Sequence, residues 1–269
     1  MNWYGIQKMN SNKGNLYVVA GLLVLLEVAV RLGVISKLYF PAPTSILTSL
    51  IEDLVSGQLI GHVVTSLVLL IIGLFLSCVL SIILAMLSEK SKRFQEVCVG
   101  LSSIASPIPG AAILPLFIIW FGIGTSASLA VIMHAVVWPY YKTLHIAMKS
   151  QPPIYKQVAQ AYGIKGLRKF LLVDAYAILA SALDGFRAAW ARAWRALITT
   201  EMIFGAIGNS GGIGWYIFKS RVFMDTSRLY AGLLIVVLIG YLTETYLFDL
   251  IESKTLVKWG MMEASDDRA

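Results

Sequence analysis

Two stretches of the chain carry no charged residue: Val63 to Ser88, and Val97 to Tyr141. At about 20 residues per membrane crossing, the first is long enough for one crossing and the second for two. Further apolar runs bring the expected number to six, at roughly 16–35, 63–87, 95–121, 126–146, 175–204 and 229–250 on the same length criterion. The third is interrupted by Pro107, Pro109, Gly110 and Pro115. It is therefore expected to be kinked or locally unwound, which is tolerated at membrane depth only where protein or a wet cavity satisfies the freed backbone groups. The turn from Gly122 to Ser128 separates spans three and four. The pattern predicts an all-α integral membrane protein with one six-helix domain over 16–250. A polar segment, 1–15, precedes it and a tail, 251–269, follows.

Composition agrees: 58% of residues are hydrophobic and 14% charged, where soluble domains carry nearer a quarter charged. The net charge of +7 raises the question of nucleic acid, but the basic residues are spread through short segments between apolar runs, with no run of Lys or Arg among exposed aromatics. Nucleic acid is not an expected partner; membrane lipid is. With the N-terminus inside, fourteen Lys and Arg fall on the cytoplasmic side and four (Lys37, Lys219, Arg221, Arg228) on the outer side. That bias places both termini in the cytoplasm. Cys78 and Cys98 lie in or beside apolar runs, so no disulfide framework is expected. Met1 to Asn15 does not read as a cleavable signal.

The segment between spans four and five, about 147–174, is then cytoplasmic. It holds Pro152-Pro153, a helix-compatible stretch from Ile154 to Tyr162, Gly163 as a stop, and a basic segment from Lys165 to Lys169. Long ordered connections are usually functional. A short helix here suits docking to a soluble partner, or else rests on anionic lipid.

Span five carries Asp184, Arg187, Arg192, Arg195 and Glu201. At about 100° per residue, Asp184, Arg187 and Arg195 fall within an arc of roughly 80°. Either this face lines a path for an anionic solute, or its charges pair structurally at a subunit contact. Glu27 and Arg31 form an i,i+4 pair and read as self-neutralising. His134 either faces the pathway or is a hydrogen-bonded packing residue, whereas His62 and His145 near span ends point to nothing specific. No phosphate-binding Gly-x-x-x-x-Gly-Lys motif is present, so nucleotide hydrolysis would have to come from another chain. No His/Cys/Asp cluster has metal-ligand spacing, so neither a metal site nor a catalytic residue is expected. Gly208 to Gly214 reads as an outer loop joining spans five and six.

Several ordered elements carry a resemblance. They are Phe40-Pro41-Ala42-Pro43-Thr44, Ser66-Leu67, Pro107-Ile108-Pro109 with Pro115-Leu116, and Trp120-Phe121-Gly122-Ile123-Gly124. Farther on come Gly185-Phe186-Arg187, Glu201-Met202, Gly212-Ile213-Gly214 and Ala231-Gly232. Through them the chain resembles, from about Phe40 to Trp259, the inner-membrane permeases of ABC importers in the nitrate/sulfonate/taurine/bicarbonate branch. The resemblance implies a type I importer permease fold that is not itself an enzyme and holds no cofactor. It implies two ABC ATPase subunits carrying ATP and Mg, a second permease copy forming a homodimer, and a periplasmic or lipoprotein solute-binding protein. The implied location is the inner membrane of a bacterium or archaeon.

It also implies a coupling loop with a Glu-Ala-Ala core and a glycine six residues after the Glu. Here Gln157, Val158 and Ala159 stand at the core and Gly163 at the glycine. Tyr176 and Ala180 replace two family prolines, and Ser77, Ser81 and Ala85 replace family glycines in span two. A reading from another class remains: a secondary transporter driven by an ion gradient, with the broken third span, Asp184, Arg187 and Glu201 as its coupling site.

Overall fold

The computed structural model describes residues 3–204 and 211–257; the expected outer loop at 208–210 and the tail beyond 257 lie outside the described residues. Every regular element among the described residues is helical. In chain order the main helices are α1 (Trp3–Arg31), α2 (Pro43–Val55), α3 (Gln58–Lys90), α4 (Lys92–Ala105), α5 (Gly110–Phe121), α6 (Thr125–Ser150) and α7 (Pro153–Ala161). They continue with α8 (Leu179–Phe204), α9 (Ile213–Val222) and α10 (Thr226–Leu256), the last containing two π-helical turns.

The centre of the bundle is α6, which buries eleven residues, among them Val131, Ile132, Val136, Tyr140, Tyr141 and Leu144. It is clasped between α3 and α8. On α3 a stripe of small residues faces inward: Ser66, Gly73, Ser77, Ser81, Ala85 and Ser88 are all buried. Small residues let helix backbones approach in a medium with no hydrophobic drive between helices. A methyl on Gly73 would lie 2.8 Å from the Ile132 side chain, and Ser81 donates to the Val137 carbonyl at 3.1 Å. Ser77, Ser81 and Ala85 therefore keep this seam close. The first two return their hydroxyls to their own helix, at 2.6 and 2.7 Å.

Only α3 and α10, among the described residues, are long and apolar enough to cross a membrane by themselves. Six such helices were expected. For α6 the shortfall has a physical cause: a helix sheathed by its neighbours need not be apolar toward lipid. For α8 the cause is five charged residues, Asp184, Arg187, Arg192, Arg195 and Glu201.

The third expected span is broken far more sharply than a proline kink. The axes of α4 and α5 diverge by 109° at the Ser106–Pro109 break. The pair must still carry the chain back along the bundle, because α3 and α6 run in the same direction: Gly73 meets Ile132, and Ser88 lies 3.0 Å from the Tyr141 hydroxyl. By contrast α8 runs against α6, with a methyl on Gly185 meeting Thr143 at 2.9 Å, and α10 runs against α8.

Two short helices were not expected. α2 lies within the segment read as an approach to span two. Pro43 occupies its first turn, where no backbone N–H is needed. α9 begins at the end of the segment read as an outer loop, 208–214, and continues beyond it to Val222.

Candidate functional site

α7 is the helix foreseen in the long loop, and its limits follow from its sequence. Pro153 sits in its first turn. At its end the Ile164 amide donates to Ala159 O at 2.8 Å and the Gly163 amide to Gln160 O at 3.0 Å. That pair of bonds is a Schellman ending, which requires a left-handed residue at Gly163, and its φ is +64°. Ala159 is 1% exposed and faces the chain's own body, where α7 meets the π-helical turn Phe170–Asp174. Its small side chain thus seats the helix on its own base. The apolar flank beside it is bare: Ile154 is 56% exposed, Val158 42% and Tyr162 78%. Gln157 and Gly163 are exposed as well.

The two roots of the loop are tied together. Gln151 Nε2 donates to Met148 O at 2.9 Å and to Asp174 Oδ1 at 3.3 Å. Lys169 pairs with Asp174 at 2.9 Å and with Glu89 at 3.4 Å. Burial disfavours the Lys169 ammonium, but the hydrogen bond it donates to Asp174 and the two carboxylate charges outweigh it and raise its pKa. The end of α3, the end of α6 and the segment leading into α8 therefore share one polar joint beside α7.

At the other end of the bundle the polar groups are enclosed. Glu201 of α8 is buried; it accepts from Ser66 Oγ at 2.7 Å and from the Gly214 amide at 2.8 Å. Ser66 in turn accepts from the Ile213 amide at 2.8 Å. The carboxylate thus caps the N-terminus of α9, whose first amides would otherwise be unsatisfied. A methyl on Gly214 would stand 2.6 Å from Ile198 O, and one on Gly212 would collide with the Glu201 carboxylate. Glycines are required because the backbone wraps this acid. His62 Nδ1 donates to Gly211 O beside them.

Glu27 plays the same part on α1. It accepts from Arg31 at 2.6 Å, and from the Thr44 amide at 3.0 Å at the start of α2. Nearby, buried Asp53 accepts from Tyr216 at 2.6 Å and from Arg228 at 2.9 Å, and Arg228 also binds Asp225 at 2.8 Å. Asp53, Tyr216 and Arg228 lie too far apart in sequence for local spacing to link them. The sequence singles out Glu201 as a pathway or inter-subunit candidate, or as part of an ion-coupling site, and not as a cap. The signal for its capping role was Gly-Ile-Gly opening a helix that has no capping side chain of its own.

The charges of α8 divide. Arg187 is committed within the chain: Glu244 lies at 3.0 Å, Asp249 at 3.1 Å and Glu252 at 3.1 Å, with the Phe248 ring 5.3 Å below its guanidinium. It also donates at 2.8 Å to the Glu244 carbonyl, at a π-helical turn where the regular ladder is interrupted. It is a clamp between α8 and α10, not a free pathway donor. Asp184 and Arg195 are exposed and lack a partner among the described residues. Arg192, left out of the expected arc, shares their face, which is centred between Asp184 and Arg192, whereas Arg187 sits at its far edge.

His134 is a packing histidine. Its Nε2 binds the Ile108 carbonyl at 3.2 Å, and its ring meets Phe117 edge-on at 6.2 Å. It satisfies an acceptor in the break made by Pro107 and Pro109. Pro115 lies inside α5.

Residues 77–255 match the family described as binding-protein-dependent transport system inner membrane component. The chain is 28% identical over 244 residues to the aliphatic sulfonates transport permease protein of Bacillus subtilis, covering 91% of this chain and 86% of that one. It is 28% identical over 137 residues to the corresponding protein of Escherichia coli, covering 51% of each. It is also 28% identical over 138 residues to the taurine transport system permease protein of Escherichia coli, covering 51% of this chain and 49% of that one.

Proposed function

The chain belongs to the family of binding-protein-dependent transport system inner membrane components, and from that premise we propose how it works as the permease subunit of an ABC importer. It is a transport component of the membrane rather than an enzyme, and it works with an ATPase and a solute-binding protein. In our reading two identical copies enclose the path, two ATPase subunits bind ATP and Mg below, and the binding protein delivers solute from outside. The chain crosses the inner membrane six times through α1, α3, the α4–α5 pair, α6, α8 and α10, with both termini in the cytoplasm. The parallel course of α3 and α6 supports counting α4–α5 as one broken crossing. The fourteen-to-four bias of basic residues supports the orientation.

The single observation that carries the mechanism is α7: a helix rooted in a polar joint, with an apolar face turned out of the chain. Exposed apolar patches of this kind mark partner surfaces. ATP binding closes the ATPases around α7, and the shared joint at Gln151, Asp174, Lys169 and Glu89 passes that displacement to α3, α6 and α8 together. The gate between the two copies then changes side. The solute contributes only differential affinity for the two states. The sulfonate and taurine permeases among its relatives support a small sulfonate-like anion as cargo.

The test is Val158→Asp, which places a charge on the bare face without touching the bundle. ATP-dependent uptake by the reconstituted importer falls at least about tenfold, as expected when a desolvated apolar contact is replaced by an unpaired charge. The chain still inserts in the membrane. Unchanged uptake would remove α7 from the coupling role. Uptake that persists without ATP and collapses with an uncoupler would favour a gradient-driven carrier instead.

A further inference from the structure

A charge inside a membrane-spanning bundle requires a partner, and the described residues separate sharply on that test. Glu27 has Arg31 and the Thr44 amide, Glu201 has Ser66 and the Gly214 amide, and Arg187 has three carboxylates. Arg192, at the middle of α8, and Lys142, toward the α7 end of α6, have no hydrogen-bond or ion-pair partner among the described residues. Both line the same cleft of about 350 Å³, together with Ser106, Pro139, Thr143 and Ile146.

A two-fold related copy would not bring the acid of this face to Arg192. Both copies must present α7 to the same side, so the two-fold axis runs along the membrane normal and each level of the bundle meets itself. The unpaired acid on this face, Asp184, lies eight residues away on α8, about 12 Å along the axis. Aspartate and arginine side chains lean the same way along a helix, so the gap persists. Symmetry therefore doubles the positive charge at the level of Arg192 and brings Asp184 no nearer to it.

We propose that this cleft is a subsite in the translocation path for a small organic oxyanion of the sulfonate class. The Arg192 guanidinium offers paired planar donors to an oxyanion head, and Lys142 adds a point charge. The Ser106 hydroxyl has no bond within the described chain and adds a neutral donor, whereas the Thr143 hydroxyl is already committed to Pro139 O at 3.2 Å. Pro139 and Ile146 form an apolar wall suited to a short alkyl tail. The assignment rests on the permease reading above and narrows it to named residues.

Two measurements test it. In membrane vesicles, with Cys78→Ala and Cys98→Ala, Ser106→Cys is labelled with thiosulfonate reagents bearing either a sulfonate or a quaternary ammonium group. The sulfonate reagent reacts about tenfold faster or more, the lower end of electrostatic focusing in a charged cleft, and added ethanesulfonate slows it. Arg192→Gln and Lys142→Gln each reduce the preference, and together they bring the two rates level. Ile146→Cys serves as a second reporter should the first variant fail to insert. Equal rates for the two reagents, or a preference that survives both substitutions, overturn the assignment.

In proteoliposomes holding the assembled importer, Arg192→Gln lowers ATP-driven taurine or ethanesulfonate uptake about tenfold, the scale of one lost charge-assisted hydrogen bond. Arg192→Lys restores a large part of it. Normal uptake in Arg192→Gln and Lys142→Gln removes the subsite and leaves the permease reading standing. Absence of ATP-driven uptake in the unsubstituted assembly removes the permease reading, while the labelling preference still reports on the cleft.

Discussion

The two ends of the bundle handle polar and apolar groups in opposite ways. At the end away from α7, which we read as the outer end, buried polar groups are answered from within: Glu201 by Ser66 and the Gly214 amide, Asp53 by Tyr216 and Arg228. At the α7 end the joint is satisfied internally too, but in front of it Ile154, Val158 and Tyr162 stand bare. A network that closes on itself fixes a shape. A rigid base that presents apolar surface to water is made for something else to hold. The contrast supports the reading that the α7 end is the one that takes a partner.

The outer end should therefore respond to substitution as a stability element. Gly214→Ala drives a methyl to within 2.6 Å of the Ile198 carbonyl oxygen and of Glu201 Cβ. With backbone unable to yield, it has the largest effect, about 3 kcal/mol or more, seen as a lowered unfolding temperature in detergent. Glu201→Ala follows at about 2–3 kcal/mol, because it strands the Gly214 amide and the Ser66 hydroxyl without their acceptor.

Arg187→Gln removes a clamp whose carboxylates are partly open to solvent, so its cost is smaller, about 1–2 kcal/mol, and shrinks in high salt. Gly163→Ala costs about 1 kcal/mol in a left-handed position, and the loss shows as faster amide exchange confined to α7. Val158→Asp, so damaging to uptake, changes unfolding by no more than about 0.5 kcal/mol. A large destabilisation there would mean that the bare face is packed after all, and the contrast between the two ends would fail.

What could be read from the sequence was what is local. The α7 segment announced itself by Pro153 and Gly163, the break by Pro107 and Pro109, and the Glu27–Arg31 pair by its spacing. Long-range partnerships left no such mark. Arg187 finds Glu244, Asp249 and Glu252 on a helix more than fifty residues away. Its place in an arc with Asp184 and Arg195 was correct in angle but silent about which neighbour each edge would meet. α2 and α9 were missed because each is short and half polar, and neither carries a capping side chain. Their caps come from Glu27 and Glu201 on other helices. The centrality of α6 was hidden for a related reason, since hydropathy measures what faces lipid and α6 faces protein.

The most direct test of the account is amide hydrogen exchange of the full-length permease, alone and bound to its ATPase. The account predicts slowed exchange across Pro153–Gly163 on assembly, with no change at 211–222, where the backbone is already enclosed. Unaltered exchange at α7 in a verified complex would contradict it.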